Sequence, residues 1–193
     1  MEDRCQITGG FCLVILWFAA VNGWKVLALV LAAAAIHETG HYLALRLLGG
    51  RVKMLRLTLF GAEMETDNHK VSYGGEVLAA LAGPGANLLC AGLLTALGAK
   101  IQPELVGANV TLAVFNLLPV RPLDGGRALY QLTAWMFGPL AGENVCRCAA
   151  ALFGSALAAL LGYVMWRTGG SLWLLPPMAG LLSAVWKECF KKA

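Results

Sequence analysis

Two of the three histidines in this 193-residue sequence stand four positions apart, in His37-Glu38-Thr39-Gly40-His41. On a helix, residues four apart lie one above the other on a single face. Both imidazoles can then converge on one metal ion, and zinc is the usual occupant of this spacing. Glu38 follows the first histidine, where it can exchange a proton with a water activated by such an ion. The chemistry these residues suit is hydrolysis. The motif sits inside an apolar run, Val26 to Leu48. Ionisable side chains are costly at membrane depth and point to function there. A polar patch that merely joins helices by hydrogen bonds is the plainer alternative.

Catalytic zinc is commonly held by three side chains, with one position left for water. Candidates for the third are Asp124, His69, Glu76 and Glu104. His69 lies in a polar stretch, and Glu76 and Glu104 lie near the ends of apolar segments, where exposure to water accounts for them. Asp124 falls in Asn116-Leu117-Leu118-Pro119-Val120-Arg121-Pro122-Leu123-Asp124-Gly125-Gly126. Prolines and glycines there end an apolar segment, and irregular backbone at membrane depth is tolerated only inside protein or beside water. An aspartate in that setting can face inward to a metal. A turn with a capping aspartate is the plainer reading of the same residues. Two further polar residues are Asn87, after Gly83-Pro84-Gly85, and Asn116. Hydrogen bonding between helices explains each. Holding a substrate backbone or an oxyanion is the sharper role.

These residues need elements to position them. The chain is 59% hydrophobic and 13% charged, against about 25% charged in soluble domains. The expected architecture is an all-α polytopic membrane protein forming one domain over residues 1–193. Six candidate spans are Phe11–Gly23, Lys25–Leu48, Gly75–Ala99, Leu105–Val120, Ala149–Trp166 and Leu172–Trp186. The first is taken as a retained membrane segment, since no clear small-residue cleavage site follows the polar start, Met1 to Gly10. With both termini in the cytoplasm, twelve of the fifteen lysines and arginines face inward, as the positive-inside rule asks. That orientation puts His37 and His41 in the cytoplasmic half of the second span.

Between the second and third spans the pattern changes. Val52, Met54, Leu55, Leu57 and Leu59 alternate with Lys53, Arg56 and Thr58, and Gly61 follows. A short amphipathic β-hairpin at the membrane surface is expected over 51–73, either as an ordinary loop or as an edge that pairs with an extended peptide. Arg121 to Asn144 is expected as the other substantial loop. The six cysteines fit small apolar packing residues, and Cys146-Arg147-Cys148 lacks the two-residue gap of a redox or zinc pair. No basic run suits nucleic acid, so the net charge of +4 is assigned to membrane orientation.

Three motifs, in order, resemble the site-2 protease family of intramembrane zinc metalloproteases. They are His37-Glu38-x-x-His41, Gly83-Pro84-x-x-Asn87, and Asn116-x-x-Pro119-x-x-Pro122-Leu123-Asp124-Gly125, and the likeness covers about residues 25–130. The resemblance implies a single metalloprotease domain with C-terminal helices over about 149–186. It makes His37, His41 and Asp124 ligands of one Zn2+, Glu38 the general base, and Asn87 and Asn116 substrate-side or oxyanion residues. Small size, six spans and cytoplasmic ends look most like the stage IV sporulation protein FB branch, without the CBS domain many members carry. That branch implies regulated proteolysis in a bacterial cytoplasmic membrane. The partners would be a sigma-factor precursor or anti-sigma factor and a membrane regulatory protein. Two rivals are a metal-ion transporter, which predicts paired symmetric halves that the sequence lacks, and a catalytically silent relative acting as a binding protein, which loss of Glu38 would have signalled.

Overall fold

Thr8 starts the first helix. Its Oγ1 accepts a hydrogen bond from the Phe11 amide at 3.4 Å, the usual service of a hydroxyl at a helix N-cap. The computed structural model describes residues 5–58, 61–67, 71–97, 103–121, 123–167 and 186. In chain order the elements are β1 (Cys5–Ile7), α1 (Gly9–Asn22), α2 (Trp24–Leu47), β2 (Arg51–Thr58), β3 (Gly61–Asp67), α3 (Tyr73–Ala96), α4 (Pro103–Asn116), α5 (Asp124–Phe137), α6 (Pro139–Ala149) and α7 (Ser155–Arg167). A π-helical turn, Ala150–Gly154, links α6 to α7. The chain divides into two compact units, Met1–Phe115 and Asn116–Ala193.

In the first unit, α1 and α2 are separated by Gly23 alone, at φ +82°. Only glycine takes that conformation without strain, so one apolar run breaks into two helices there. At its other end α2 closes with the amide of Gly49 on the Arg46 carbonyl (3.3 Å) and that of Gly50 on the Leu45 carbonyl (2.8 Å). This is the Schellman pattern, with Gly49 at φ +83° supplying the left-handed residue it requires. Ser72 caps α3, its Oγ accepting from the Gly75 amide at 3.2 Å. The helix then continues through Pro84 without interruption to Ala96.

α2 and α3 lie against each other along a seam of small residues. A Cβ on Gly40 would fall 2.5 Å from the Ala82 carbonyl oxygen and 2.8 Å from the Ala86 Cβ. Close approach of this kind is how helices associate where the surroundings are themselves apolar. The outward faces carry exposed Val30, Leu43, Leu78, Leu89 and Leu93, where a helix in water would carry charge.

The expected hairpin is present, as β2 antiparallel to β3, with Leu55 opposite Met64 and Arg56 opposite Glu63. A register shift falls between Val52 and Met54. A third strand was not foreseen. β1 pairs parallel to β2, with Gln6 opposite Arg56, giving a sheet of order β1-β2-β3. Three residues are too few to carry a readable alternation, so Met1 to Gly10 looked merely polar.

The second unit corrects a larger expectation. Helices α5 (Asp124–Phe137) and α6 (Pro139–Ala149) stand where a loop was expected from Arg121 to Asn144. Their interface is built from Gly126, Ala128, Ala134, Gly142 and Cys146, all buried. Both helices are amphipathic, with small residues on the packed face and polar ones between them, so a helical period was present in a stretch expected as a loop. A Cβ on Gly142 would meet the Tyr130 ring at 3.1 Å, and the Cys146 thiol donates to the Gly126 carbonyl at 3.6 Å.

Among the described residues, three helices are long and apolar enough to cross a membrane: Trp24–Leu47, Tyr73–Ala96 and the continuous Pro139–Arg167. α1 and α4 have 14 residues each, which at about 1.5 Å per residue falls short of a bilayer core. The third and fourth expected spans begin two residues early, at Tyr73 and Pro103, and the expected span Leu172–Trp186 lies outside the described residues except for Trp186.

Candidate metal centre

The buried positions of α2 include Ala33, His37, His41 and Leu45, a run of four-residue steps that draws one stripe along the helix. The two histidines are therefore turned into the packed face, against α3. His41 packs directly onto α3. Its Nδ1 donates to the Ala79 carbonyl at 2.8 Å. A Cβ on Gly83 would lie 2.2 Å from its Nε2. The Gly83-Pro84 motif thus supplies the space in which the imidazole sits.

His37 is held by Asn87. Its Nδ1 is 2.7 Å from the Asn87 Oδ1, two turns along α3 from the carbonyl that holds His41. The Asn87 Nδ2 donates to the Ala33 carbonyl at 2.9 Å and to the Asn109 Oδ1 at 2.7 Å. Both partners only accept, so the amide orientation is determined: nitrogen toward Ala33 and Asn109, oxygen toward His37. His37 must then carry its proton on Nδ1. His41 must do the same, because a carbonyl cannot donate. In the neutral ring the lone pair is then on Nε2, and these two nitrogens are 3.2 Å apart.

Two lone pairs at that distance repel unless a cation lies between them. Tetrahedral zinc with Zn–N bonds of about 2.0–2.1 Å separates two ligand nitrogens by about 3.3 Å. The pair therefore has the bite of a zinc chelate, with both rings oriented through their other nitrogen, as metal-bound histidines almost always are.

Glu38 follows on α2 and is half-buried. Asn116 ends α4 and is half-buried as well. Asp124 is the first residue of α5 and only 6% exposed. Backbone hydrogen bonds in the second unit fix the start of this helix. The Leu123 amide donates to the Val120 carbonyl at 2.9 Å, and the Arg127 amide to the Leu123 carbonyl at 3.0 Å. A Cβ on Gly125 would fall 2.2 Å from the Leu117 carbonyl oxygen. Arg127 Nη1 stands 3.9 Å from Asp124 Oδ1, and the Arg121 guanidinium lies over the Tyr130 ring at 4.7 Å.

Among the sequence candidates, the first unit brings together His37, His41 and Asn87, while Asp124 and Asn116 belong to the second. Glu104 is exposed and paired with Lys25 at 3.2 Å. A backbone hydrogen bond at its own position, and then Lys25, hold its carboxyl below the ordinary value. Glu76 lies in the first turn of α3, and His69 is outside the described residues. Asn109 was not singled out, yet it is fully buried. Its position inside an apolar helix, Pro103–Asn116, was the signal that could have found it.

The structure is similar to that of the site-2 protease from Methanocaldococcus jannaschii, with a TM-score of 0.70 over 98% of this chain and 92% of that one, at 22% sequence identity. The fold is that of a site-2 protease. That fold is accompanied here by three helices long and apolar enough to cross a membrane.

Sequence relatives carry matching names. The chain is 34% identical over 113 residues to a provisionally named zinc metalloprotease of Synechocystis sp., covering 54% of this chain and 30% of the relative. It is 30% identical over 131 residues to another provisionally named one from Mycobacterium tuberculosis, covering 62% and 33%. A zinc metalloprotease of Methanocaldococcus jannaschii matches at 26% over 164 residues, covering 78% and 47%. The chain thus spans from under a third to about half the length of these curated relatives. No protein-family model matches the sequence.

Proposed function

We propose that the chain is an intramembrane zinc metalloprotease of the site-2 protease family, hydrolysing a peptide bond in or near the membrane segment of another protein. The observation that carries this reading is the pair of histidine Nε2 atoms 3.2 Å apart, with each Nδ1 occupied as a donor and Glu38 next in sequence. The site-2 protease fold and the names of the relatives support it.

In this reading His37 and His41 offer their Nε2 lone pairs, and Asp124 supplies the third ligand from a buried carboxylate. Zinc at that position supplies Lewis acidity to water and to the scissile carbonyl. Glu38 takes a proton from the attacking water and delivers it to the leaving amine, the two-way service of a general acid–base group. Asn87 spends its amide on His37, Ala33 and Asn109, so its part is orientation of a ligand. Asn116 takes the substrate side.

A helical substrate hides its peptide bonds and must be drawn out. β3 pairs with β2 on one side only within the sheet, so its other edge is the place where an extended peptide can add as a strand. The proposed substrate is a membrane-associated protein such as a sigma-factor precursor or anti-sigma factor, restrained by a membrane regulator. The proposed setting is a bacterial cytoplasmic membrane with both termini inside.

Zinc content of the detergent-purified chain tests the reading. About one ion per chain in the parent, and little in His41→Ala, is the expected result for a three-ligand site. A parent that stays metal-free after zinc is supplied overturns it.

A further inference from the structure

Asn109 has no place in any motif, yet it is one of five buried polar or charged side chains among the described residues; the others are His37, His41, Asn87 and Asp124. It lies in α4, and its Nδ2 donates to the Leu105 carbonyl of its own helix at 2.9 Å. A carbonyl can only accept, so this bond determines which way the Asn109 amide is turned. Its Oδ1 is thereby presented to Asn87 at 2.7 Å. Asn87 in turn has its nitrogen committed on two sides and its oxygen on His37.

We propose that Asn109 is a positioning residue for metal binding: it locks the Asn87 amide, and through it holds His37 in the Nδ1–H tautomer that aims a lone pair at the metal. The proposal rests on the zinc reading above for its purpose but not for its geometry. If the acceptor at 109 is removed, one Asn87 N–H loses its partner in a dry site. Only the Ala33 carbonyl then holds the nitrogen in place, and the amide is freer to turn and present nitrogen to His37. A nitrogen donor facing Nδ1 favours the opposite tautomer, with the proton on Nε2, where it blocks coordination. Partners that orient metal-bound histidines are commonly worth about 10–100-fold in affinity. Acting through Asn87, Asn109 is expected to lie near the lower end, about tenfold.

The test uses the full chain in detergent, labelled with 15N histidine and freed of metal, at a pH where imidazole is neutral. Long-range proton–nitrogen spectra read the tautomer of each ring, with His41→Ala for assignment. Competition with a chelator gives zinc affinity. The parent should show His37 protonated on Nδ1. Asn109→Leu, and Asn109→Ala as a second variant should the first not fold, should lose that pattern and bind zinc about tenfold more weakly. Asn109→Asp keeps an acceptor toward Asn87 in either protonation state and should restore both. A packing role alone would lower thermal stability without moving the tautomer. A parent with His37 protonated on Nε2, or a folded Leu or Ala variant with the parent's tautomer and affinity, overturns the proposal. A parent with the Nδ1 tautomer that binds no zinc overturns the protease reading instead and leaves the lock standing.

Discussion

Gly83 and His41 occupy one space: a Cβ at position 83 would lie 2.2 Å from the His41 Nε2 and 2.6 Å from its Cε1. The imidazole is therefore part of the α2–α3 packing as well as a candidate ligand. Gly83→Ala has to displace the ring or spread the helices, because the obstacle is a seated ring held at 2.8 Å by the Ala79 carbonyl. Overpacking of this kind costs about 1–3 kcal/mol. The expected outcome is a lower melting temperature and a loss of zinc affinity of at least about tenfold, the scale of a misdirected ligand. Equilibrium dialysis against zinc checks it; parent affinity in the alanine variant would show that the ring moves without consequence.

Glu38→Gln separates metal binding from proton transfer. The amide keeps the shape and cannot accept the proton of water. Zinc content should stay at the parent level while cleavage falls by about 10²–10⁴-fold, the usual worth of a positioned general base. Loss of zinc in this variant would place Glu38 among the ligands.

Asp124→Ala examines the third ligand. The carboxylate is 6% exposed, and its neighbour Arg127 has a side chain that is 55% exposed, so charge pairing there is screened and accounts for little of the burial. Zinc per chain should fall well below that of the parent. Unchanged metal content would keep the histidine pair and send the search for a third ligand elsewhere.

Away from the site, Lys25 and Glu104 link the start of α2 to the start of α4 at 3.2 Å. The Glu104 carboxyl is held below its ordinary 4.5, first by the backbone hydrogen bond at its own position and next by Lys25. A carboxyl with a lowered folded-state value stabilises the fold above its unfolded value, and that contribution disappears as pH falls through the folded one. Melting temperature should therefore drop on acidification below about 4.5, and Glu104→Gln should make the drop shallower. Both side chains are more than half exposed, so the effect is small and weakens further with salt. An equal drop in parent and variant would assign the acid sensitivity to other groups.

Much of the candidate site was legible because its spacing is local. Four residues are one helical turn, so His37 and His41 had to share a face once the apolar run around them became a helix. The alternation from Val52 to Leu59 specified strands for the same reason, with a period of two. Gly83 and Asn87 also stood out, though not for what they do. Only the packed helices show that Gly83 makes room for His41 and that Asn87 grips His37 and Ala33.

Those contacts join residues 50 and 54 positions apart, and the Asn87–Asn109 bond spans 22. No periodicity within one segment encodes such a pairing. It depends on how close two helices come, which small residues such as Gly40 and Ala82 decide. The same limit hid β1, whose three residues become a strand only beside β2. α5 and α6 are a different case, since both are amphipathic at helical spacing and were legible in the sequence. The sequence by itself determined the candidate ligand types, their helical face and the apolar setting. The tertiary structure decided which nitrogen of each histidine carries the proton, because a tautomer is chosen by the group that faces the ring.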